Sequence, residues 1–501
     1  MSIKLNLPVE ADTLRLGEDI ASALEPGDLI TLQGDLGAGK TTLARAILRA
    51  LADDPALEVP SPTFTLVQDY EGGRLPAAHF DLYRLGDPEE VHELGMDDAL
   101  ARGVALVEWP EHGALTGPSI RITLRESGEG RIAIIDANEV GLARVERSLV
   151  ARDFLNQVGH GTARRRPIAG DASTRGYEMV EPATGDETLL LMDSPAMPDG
   201  PPVRDGLPYS RVAHLAEDVR PFVAIGRALR ERGFRAPKLH GVDLERGFLL
   251  AEHLGSGSIL GADGEPIAER YCAVAETLAA IHDAAWPEAL PVAHGEPGHR
   301  LPPFDRRAMM IEVELTLDWA FPRMIGRPAN EAERADYLSA WNCALDAIGN
   351  AERSLVLRDV QAPNIIWRGD ASGHDRVGLI DYQDALRGPS AYDVASLAQD
   401  ARVTIGLGLE REIKAAYHSA RAVRDPLFET AYAVMAAQRA CKVFGLWVRL
   451  DERDGKRQYL ANAPRTRGYL ERNLAHPALT GVRDWFDRHG LLENVPERLA
   501  A

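Results

Sequence analysis

One glycine-rich stretch of the chain combines residue types that could bind a nucleotide. It follows a short apolar run, precedes a run of helical periodicity, and consists of Gly34, Asp35, Leu36, Gly37, Ala38, Gly39, Lys40, Thr41 and Thr42. Glycines let the backbone curl until its N–H groups converge on phosphate oxygens, and a helix N-terminus favours negative charge. The lysine could reach the β- and γ-phosphates, and the first threonine could ligate Mg²⁺. The pattern predicts a P-loop for ATP and Mg²⁺.

Two carboxylates further along the chain could complete such a site. Glu108 directly follows the apolar run Val104–Val107, and P-loop proteins carry a Mg²⁺-ligating acid at the end of a strand of this kind. A solvated acid at a strand end is the alternative. Asp81 is a second candidate, although it could instead cap the N-terminus of a helix that follows it.

A second constellation has the residue types of phosphoryl transfer. Asp359 precedes Asn364 by five positions in the run 357–364 (Leu-Arg-Asp-Val-Gln-Ala-Pro-Asn), and a later apolar strand ends at Asp381. Asp359 could accept the proton of an attacking hydroxyl, while Asn364 and Asp381 could hold the metal ions that bridge the ATP phosphates. The spacing predicts a kinase catalytic loop, with an acidic loop in a helical domain as the alternative.

These side chains require two different frameworks. Up to residue 142 the sequence predicts strands at 28–33, 64–70, 104–107, 120–124 and 131–135 and a helix at 41–51. This alternation is typical of an α/β P-loop domain with a parallel core. Beyond it we predict a helix at 144–158, a long loop at 195–208, and a mainly helical region with strands at 247–252, 364–367 and 377–381. We therefore predict domains at 1–142 and 143–501, with the arginine run 164–166 as a solvated surface patch.

The first 140 or so residues resemble a known family over its full length. The resemblance rests on four motifs, at 34–42, 61–64 (Ser-Pro-Thr-Phe), 79–84 (His-Phe-Asp-Leu-Tyr-Arg) and 107–111 (Val-Glu-Trp-Pro-Glu). Their order and spacing are similar to those of the bacterial ATPase subunit of tRNA threonylcarbamoyladenosine biosynthesis (TsaE). The resemblance implies an ATPase that works with proteins of the tRNA threonylcarbamoyltransferase complex on adenosine 37 of tRNA.

The same resemblance assigns roles to individual residues. It implies that Lys40 binds phosphate, that Thr41 and Glu108 bind Mg²⁺, and that Asp81 lies at the γ-phosphate. Residues 61–64 would form a switch-like segment that responds to the nucleotide.

The rest of the chain resembles the aminoglycoside phosphotransferase and choline kinase superfamily. The motifs are 278–282 (Leu-Ala-Ala-Ile-His), 357–364 and 378–384. Within this superfamily the chain resembles the bacterial N-acetylmuramate/N-acetylglucosamine kinases (AmgK) over about residues 145–500, in the motifs 170–175 (Gly-Asp-Ala-Ser-Thr-Arg), 191–195, 357–359 and 381–385. The resemblance implies a bilobal α+β protein-kinase-like domain that phosphorylates the anomeric hydroxyl of an amino sugar in peptidoglycan recycling.

The second module departs from the kinase pattern at the ATP phosphates. Residues 170–175 replace the usual glycine-rich loop, and no lysine occurs between Lys40 and Lys238. The strand that should carry the ATP-binding lysine ends in Met-Asp at 192–193. Arg175 or another arginine would have to supply the positive charge. Glu252 and Leu254 would lie at the adenine hinge.

Composition limits the compartment and the partners. The net charge of −20 argues that the chain does not hold nucleic acid unaided, so we expect contact with tRNA only through partners. Three widely spaced cysteines are predicted to be buried thiols in a reducing compartment. The N-terminus is too polar for a signal peptide and no apolar run could span a membrane, so we expect a cytoplasmic protein.

Two alternatives remain open for the second module. It could phosphorylate another small alcohol, such as choline or an aminoglycoside, or it could be a pseudokinase that only docks partners. The intact Asp359, Asn364 and Asp381 argue against a pseudokinase, whereas the missing lysine argues for one.

Overall fold

The computed structural model describes residues 2–113, 115, 117–168, 175–182, 187–493 and 495. The chain divides into two compact units, one formed by residues 1–195 and 239–253 and the other by residues 196–238 and 254–501. The first unit therefore extends beyond residue 142, so the domain boundary at that residue stays a prediction.

The first unit combines two sheets with packed helices. Its strands are β1 (Ser2–Leu7), β2 (Leu29–Gln33), β3 (Val67–Tyr70), β4 (Ala77–Asp81), β5 (Val104–Glu108), β6 (Ile120–Ser127), β7 (Gly130–Ala137), β8 (Arg164–Ile168), β9 (Gly176–Glu181), β10 (Leu189–Asp193), β13 (Leu239–Asp243) and β14 (Phe248–Glu252). Its α-helices are α1 (Glu10–Ala23), α2 (Lys40–Ala52), α3 (Met96–Arg102) and α4 (Glu139–Gln157).

A seven-stranded sheet positions the P-loop. Its strand order is β1-β7-β6-β2-β5-β4-β3, and the central strands β6, β2, β5 and β4 run parallel. The carboxyl ends of parallel strands share one edge, which is where α/β sheets bind ligands. The P-loop follows β2 there, and Asp81 and Glu108 end β4 and β5. The predicted parallel core is confirmed, although β3 begins at Val67 and not at residue 64.

A five-stranded antiparallel sheet forms the rest of the first unit. Its order is β13-β14-β10-β9-β8. Helix α4 packs against this sheet, with Phe154 stacked on Phe248 at 5.7 Å between ring centroids. The predicted strand at 247–252 and the predicted helix at 144–158 are both present, with slightly different bounds.

The second unit is mainly helical. Its α-helices are α5 (Tyr209–Val212), α6 (Arg220–Glu231), α7 (Ala268–Asp283), α8 (Arg306–Leu315), α9 (Phe321–Ile325), α10 (Glu331–Asp346), α11 (Ala391–Ala398), α12 (Leu407–Ala420), α13 (Phe428–Glu452), α14 (Ala463–Leu474) and α15 (Thr480–His489). Its strands form antiparallel pairs: β11 (Pro202–Arg204) with β12 (Leu207–Pro208), β15 (Ala289–Leu290) with β16 (His299–Arg300), β17 (Arg353–Val356) with β20 (Leu386–Pro389), and β18 (Ile365–Trp367) with β19 (Val377–Leu379).

The hairpin β18–β19 carries the predicted metal ligands of the kinase-like module. Ile365 pairs with Leu379, so Asn364 just before β18 and Asp381 just after β19 lie at the same end of the hairpin. The predicted loop at 195–208 contains the short hairpin β11–β12, which its proline and glycine content concealed.

Two expectations about side-chain exposure are wrong. The arginine run is not a solvated patch, because Arg165 on β8 is 3% exposed and pairs with acids of the first unit. Cys343 is exposed, whereas Cys441 is buried as predicted. Among the described residues, no helix has both the length and the apolar character needed to cross a membrane.

Candidate nucleotide-binding and catalytic sites

Glycines with positive φ connect β2 to helix α2. Gly34 has φ of 140° and Gly39 has φ of 99°. A Cβ on Gly34 would lie 2.4 Å from the carbonyl oxygen of Leu124, so a larger residue would displace the backbone. Gly39 immediately precedes α2, and the loop therefore presents the N–H groups of a helix N-terminus, which attract anions.

The other predicted P-loop residues lie around this turn. Ala38 is buried, whereas Leu36 is 80% exposed. Thr42 is the third residue of α2. Arg131 on β7 supports the loop, since its Nε donates to the carbonyl oxygen of Ala38 at 2.7 Å.

Lys40 is folded onto the loop that carries it. Its Nζ donates to the carbonyl oxygens of Gly34 at 2.7 Å and Asp35 at 3.0 Å, and it lies 3.5 Å from the centre of the Trp109 ring. The residue is 5% exposed. Burial lowers the pKa of its ammonium group, and nearby carboxylates, Glu108 foremost, oppose that shift. Phosphate oxygens would be stronger acceptors for this ammonium than neutral carbonyls are.

Glu108 joins the loop to the neighbouring strand. Thr41 Oγ1 donates to its Oε2 at 2.9 Å, and Nε2 of His79 lies 3.0 Å from its Oε1. The contacts lie towards the carboxyl edge of the sheet, because His79 is on β4 and Glu108 ends β5. Glu108 is therefore a buried acid in contact with the P-loop, and the alternative of a solvated acid at a strand end is wrong.

Asp81 does not cap a helix. It ends β4, and its carboxylate accepts hydrogen bonds from the hydroxyls of Ser61 at 2.6 Å and Thr63 at 2.8 Å and from the backbone N–H of Tyr83 at 3.1 Å. The predicted switch-like segment is thus held by Asp81. Phe64 in that segment is exposed, and the Arg84 guanidinium lies 4.3 Å from the centre of its ring.

Sequence reasoning missed three residues of this site. His79 lies two positions before Asp81 on β4, so strand periodicity could have placed both side chains on one face. Trp109 has a positive φ of 56°, which is unusual for a bulky residue. No sequence signal pointed to Arg131, because its contact with the loop is made across 93 residues.

The kinase-like catalytic loop lies in the second unit and brings three predicted residues together. Asn364 Nδ2 donates to the carbonyl oxygen of Asp359 at 2.8 Å and to Asp381 Oδ2 at 3.3 Å. Gln383 Nε2 donates to Asp381 Oδ1 at 3.0 Å. Arg358 and Asp381 have φ of 75° and 58°, a strained conformation for such side chains that surrounding contacts must hold.

Two buried aspartates fix the two ends of this loop. Asp393 on α11 accepts the N–H groups of Leu357 at 2.7 Å and Arg358 at 2.9 Å. Asp400, just after α11, accepts the N–H group of Ala362 at 2.7 Å. Both carboxylates are fully buried. The path of the loop between Asp359 and Asn364 is thereby set from α11 and the segment that directly follows it.

The arginine of the loop is anchored by a buried acid. Arg358 donates to Glu312, which also accepts from Lys442 Nζ and Gln438 Nε2, each at 2.8 Å. Burial alone would raise the pKa of Glu312, but Lys442 and Arg358 lower it to about 2. Glu312 is therefore a carboxylate at neutral pH, and it compensates the buried charge of Arg358.

The remaining predicted cofactor residues are spread over both units. In the first unit, Arg175 precedes β9 and Glu252 ends β14, and the register of β10 places them at opposite ends of that strand. Leu254 is buried in the second unit. Residues 170–174, most of the predicted replacement for the glycine-rich loop, lie outside the described residues. Asp193, at the end of the strand that lacks the lysine, pairs with Arg147 of α4 at 3.0 Å.

Comparison with known proteins matches two separate stretches of the chain to two families. Residues 7–133 match the model of the threonylcarbamoyl adenosine biosynthesis protein TsaE. Residues 164–427, more than half of the chain, match the phosphotransferase enzyme family.

Curated relatives agree with both matches. The chain is 32% identical over 360 residues to the N-acetylmuramate/N-acetylglucosamine kinase of Caulobacter vibrioides, covering 69% of this chain and 97% of that protein. It is 30% identical to the protein of that name from Pseudomonas aeruginosa over 62% of this chain and 83% of the relative. It is also 40% identical over 124 residues to the tRNA threonylcarbamoyladenosine biosynthesis protein TsaE of Rickettsia felis, covering 24% of this chain and 72% of the relative. The chain therefore belongs to the phosphotransferase enzyme family, and carries at its N-terminus a P-loop domain of the TsaE family.

Proposed function

We propose that the chain is bifunctional. Residues 1–142 would hydrolyse ATP in support of the threonylcarbamoylation of tRNA adenosine 37, and residues 143–501 would transfer phosphate from ATP to the anomeric hydroxyl of N-acetylmuramate or N-acetylglucosamine. The names and coverage of the relatives support both assignments. We place both reactions in the cytoplasm, with proteins of the tRNA threonylcarbamoyltransferase complex as partners of the first domain.

The ATPase assignment depends chiefly on the contact between Thr41 and Glu108. A hydroxyl and a carboxylate 2.9 Å apart at the start of α2 are oxygen donors of the kind that Mg²⁺ prefers. This ion is usually held by one or two carboxylates together with substrate phosphates, and the P-loop would bring those phosphates to the same place. Thr41 and Glu108 would hold the ion, which neutralises phosphate charge when bound.

The chain's own residues account for the remaining requirements of the ATPase. Lys40 would exchange the carbonyls of Gly34 and Asp35 for phosphate oxygens. Asp81 would sense the γ-phosphate through Ser61 and Thr63, because both hydroxyls already donate to its carboxylate.

The kinase assignment depends chiefly on the arrangement of Asp359, Asn364 and Asp381. Asp359 would accept the proton of the attacking sugar hydroxyl, as a carboxylate on a fixed loop can do. Asn364 and Asp381, which are in hydrogen-bond contact, would hold Mg²⁺. The intact, anchored loop supports catalysis over a pseudokinase, and the relatives favour an amino sugar over choline or an aminoglycoside.

The kinase assignment is tested by ADP release from the full chain with each candidate substrate. We expect release that depends on N-acetylmuramate or N-acetylglucosamine, and its loss in Asp359→Asn. The control is Asp370→Asn, the same chemical change at an exposed turn after β18, which should leave the rate unchanged. Release with choline or an aminoglycoside but with neither sugar would reject the amino-sugar proposal.

The ATPase assignment is tested by tRNA modification with the partner proteins present. Lys40→Ala should abolish ATP-dependent formation of threonylcarbamoyladenosine, whereas Lys4→Ala, a change of an exposed lysine on β1, should have no effect. Full modification by the Lys40 variant would show that the P-loop is not used in this reaction.

A further inference from the structure

Helix α4 belongs to two hydrophobic cores. Val145, in its first half, packs into the core of the P-loop sheet. Phe154 and Leu155, in its second half, pack into the core of the five-stranded sheet. The helix is continuous over 19 residues. The P-loop sheet and the five-stranded sheet are therefore connected by a helix and not by a flexible linker.

Buried charges join the same two sheets around that helix. Asp19 of α1 accepts from Arg152 of α4 at 3.0 Å and from Arg165 of β8 at 2.7 Å. Arg165 also donates to Glu178 of β9 at 2.7 Å, and Ser148 Oγ donates to the carbonyl oxygen of Asp19 at 2.7 Å. Burial alone would lower the pKa of Arg165, but Glu178 and Asp19 raise it above its ordinary value. Separating such buried partners is costly, so the network resists displacement of one element against another.

The P-loop helix is connected to this network along its length. Helices α1 and α2 are in close contact, since a Cβ on Gly17 of α1 would lie 2.4 Å from the Cβ of Ala46 of α2. Asp53, which follows the last residue of α2, accepts from Arg164 at 2.8 Å and Arg166 at 3.3 Å, both on β8. Strand β8 in turn pairs with β9 over its whole length.

We propose that the P-loop controls nucleotide use by the kinase-like module through this connection. This inference rests on the proposed function of both modules. Lys40 must leave its carbonyl partners to bind phosphate, which changes the start of α2. Helix α2 is a rigid element that contacts α1 along one side and β8 at its end, so a shift on binding is passed to β8 and β9 of the kinase-like module. Because coupling between binding sites is reciprocal, nucleotide in the second module also affects the P-loop.

The coupling is measured by the formation of sugar phosphate by the full chain at varied ATP. We expect Lys40→Ala to change the KM for ATP of this reaction by roughly threefold or more, because coupling energies of allosteric proteins produce changes of at least that size. Adding Asp53→Asn to Lys40→Ala should not change the KM for ATP further, because the effect of the P-loop on the kinase-like module is already lost in Lys40→Ala. Asp54→Asn, a change of an exposed neighbour, is the matched control. Equal KM values for the wild type and Lys40→Ala would overturn the proposal while leaving the kinase activity itself demonstrated.

A second measurement does not require a sugar substrate. Hydrogen exchange of the amides of β8 and β9 is followed with and without saturating Mg·ADP in the wild type, Lys40→Ala and Asp53→Asn. We expect protection in the wild type that exceeds that in both variants. Equal protection in all three proteins would overturn the coupling, even if sugar phosphorylation had failed for its own reasons.

Discussion

If Lys40 binds phosphate as proposed, its contact with Trp109 has to change when a phosphate reaches the P-loop. The ammonium lies over the indole ring, which is a favourable place for a cation only while no better partner is near. Trp109 also packs on Tyr83, with ring centroids 5.0 Å apart, and its ring lies beside the loop. The fluorescence of this indole should therefore depend on the position of Lys40.

Tryptophan fluorescence tests this relation. Saturating Mg·ATP should change the emission of the wild type, and most of the change should vanish in Trp109→Phe, which keeps an aromatic ring. Because the chain has seven tryptophans, the contribution of Trp109 is obtained by subtracting the emission change of Trp109→Phe from that of the wild type. If the two proteins give the same change in emission on binding ATP, Lys40 does not leave the ring.

The charge on Glu312 is expected to make the second unit sensitive to acid. Its pKa is about 2 in the folded chain and near 4.5 when unfolded, so the stability it contributes is fully present above pH 4.5 and is lost as the pH falls towards 2. The contribution is on the order of 3 kcal/mol. Glu312→Gln should therefore lower the free energy of unfolding at pH 7. The difference in the free energy of unfolding between the variant and the wild type should become smaller below pH 4.5. If this difference in the free energy of unfolding stayed constant from pH 7 to pH 3, the lowered pKa of Glu312 would be contradicted.

At the scale of elements, one short helix organises the kinase-like catalytic loop. Helix α11 and the residue two positions beyond it supply the carboxylates of Asp393 and Asp400 that hold the loop backbone. Both side chains are buried, so each of these hydrogen bonds is costly to lose. The positions of Asp359 and Asn364 therefore depend on an element that contains neither.

Asp400→Asn tests this positioning role. The substitution keeps the size of the side chain but weakens its hold on Ala362, so kcat for sugar phosphorylation should fall by about 10- to 100-fold with a smaller change in KM, as expected when a catalytic group is misplaced. Asp370→Asn, on an exposed turn, is the control. A raised KM with unchanged kcat would instead indicate a role in binding.

The sequence predicted the local parts of both sites and missed the long-range ones. The P-loop and the run 357–364 are contiguous, so residue spacing alone was enough to propose Lys40 and Asp359 as candidate site residues. The partners that hold these segments, such as Arg131 and Asp400, come from distant positions and carry no motif of their own. The arginine run was misjudged for a related reason, because the acid that pairs with the buried Arg165 comes from α1, far away in the sequence.

At the scale of the whole chain, the first unit contains parts of both matched families. The match to the first family ends at residue 133 and the match to the second begins at residue 164, and both residues lie within this unit. Helix α4 fills the interval and takes part in both cores. We therefore expect the two sheets of this unit to unfold together.

Calorimetry of Asp19→Ala tests this cooperativity. Removing one partner of a buried charge network costs about 3–5 kcal/mol, and Arg152 and Arg165 would be left without their shared acid. The midpoint of thermal unfolding of the first unit should fall, with a single transition retained. Asp136→Ala, a change of an exposed residue on β7, is the control. Loss of stability in the P-loop sheet alone, with the five-stranded sheet unaffected, would show that the sheets are independent.

Two separate ATP-dependent activities on one chain are tested most directly by ³¹P NMR of the full chain with Mg·ATP and N-acetylmuramate or N-acetylglucosamine. We predict a new phosphate ester on the anomeric carbon that is lost in Asp359→Asn and still formed by Lys40→Ala. ATP consumption without any sugar phosphate, unchanged by Asp359→Asn, would contradict the presence of a sugar kinase beside the ATPase.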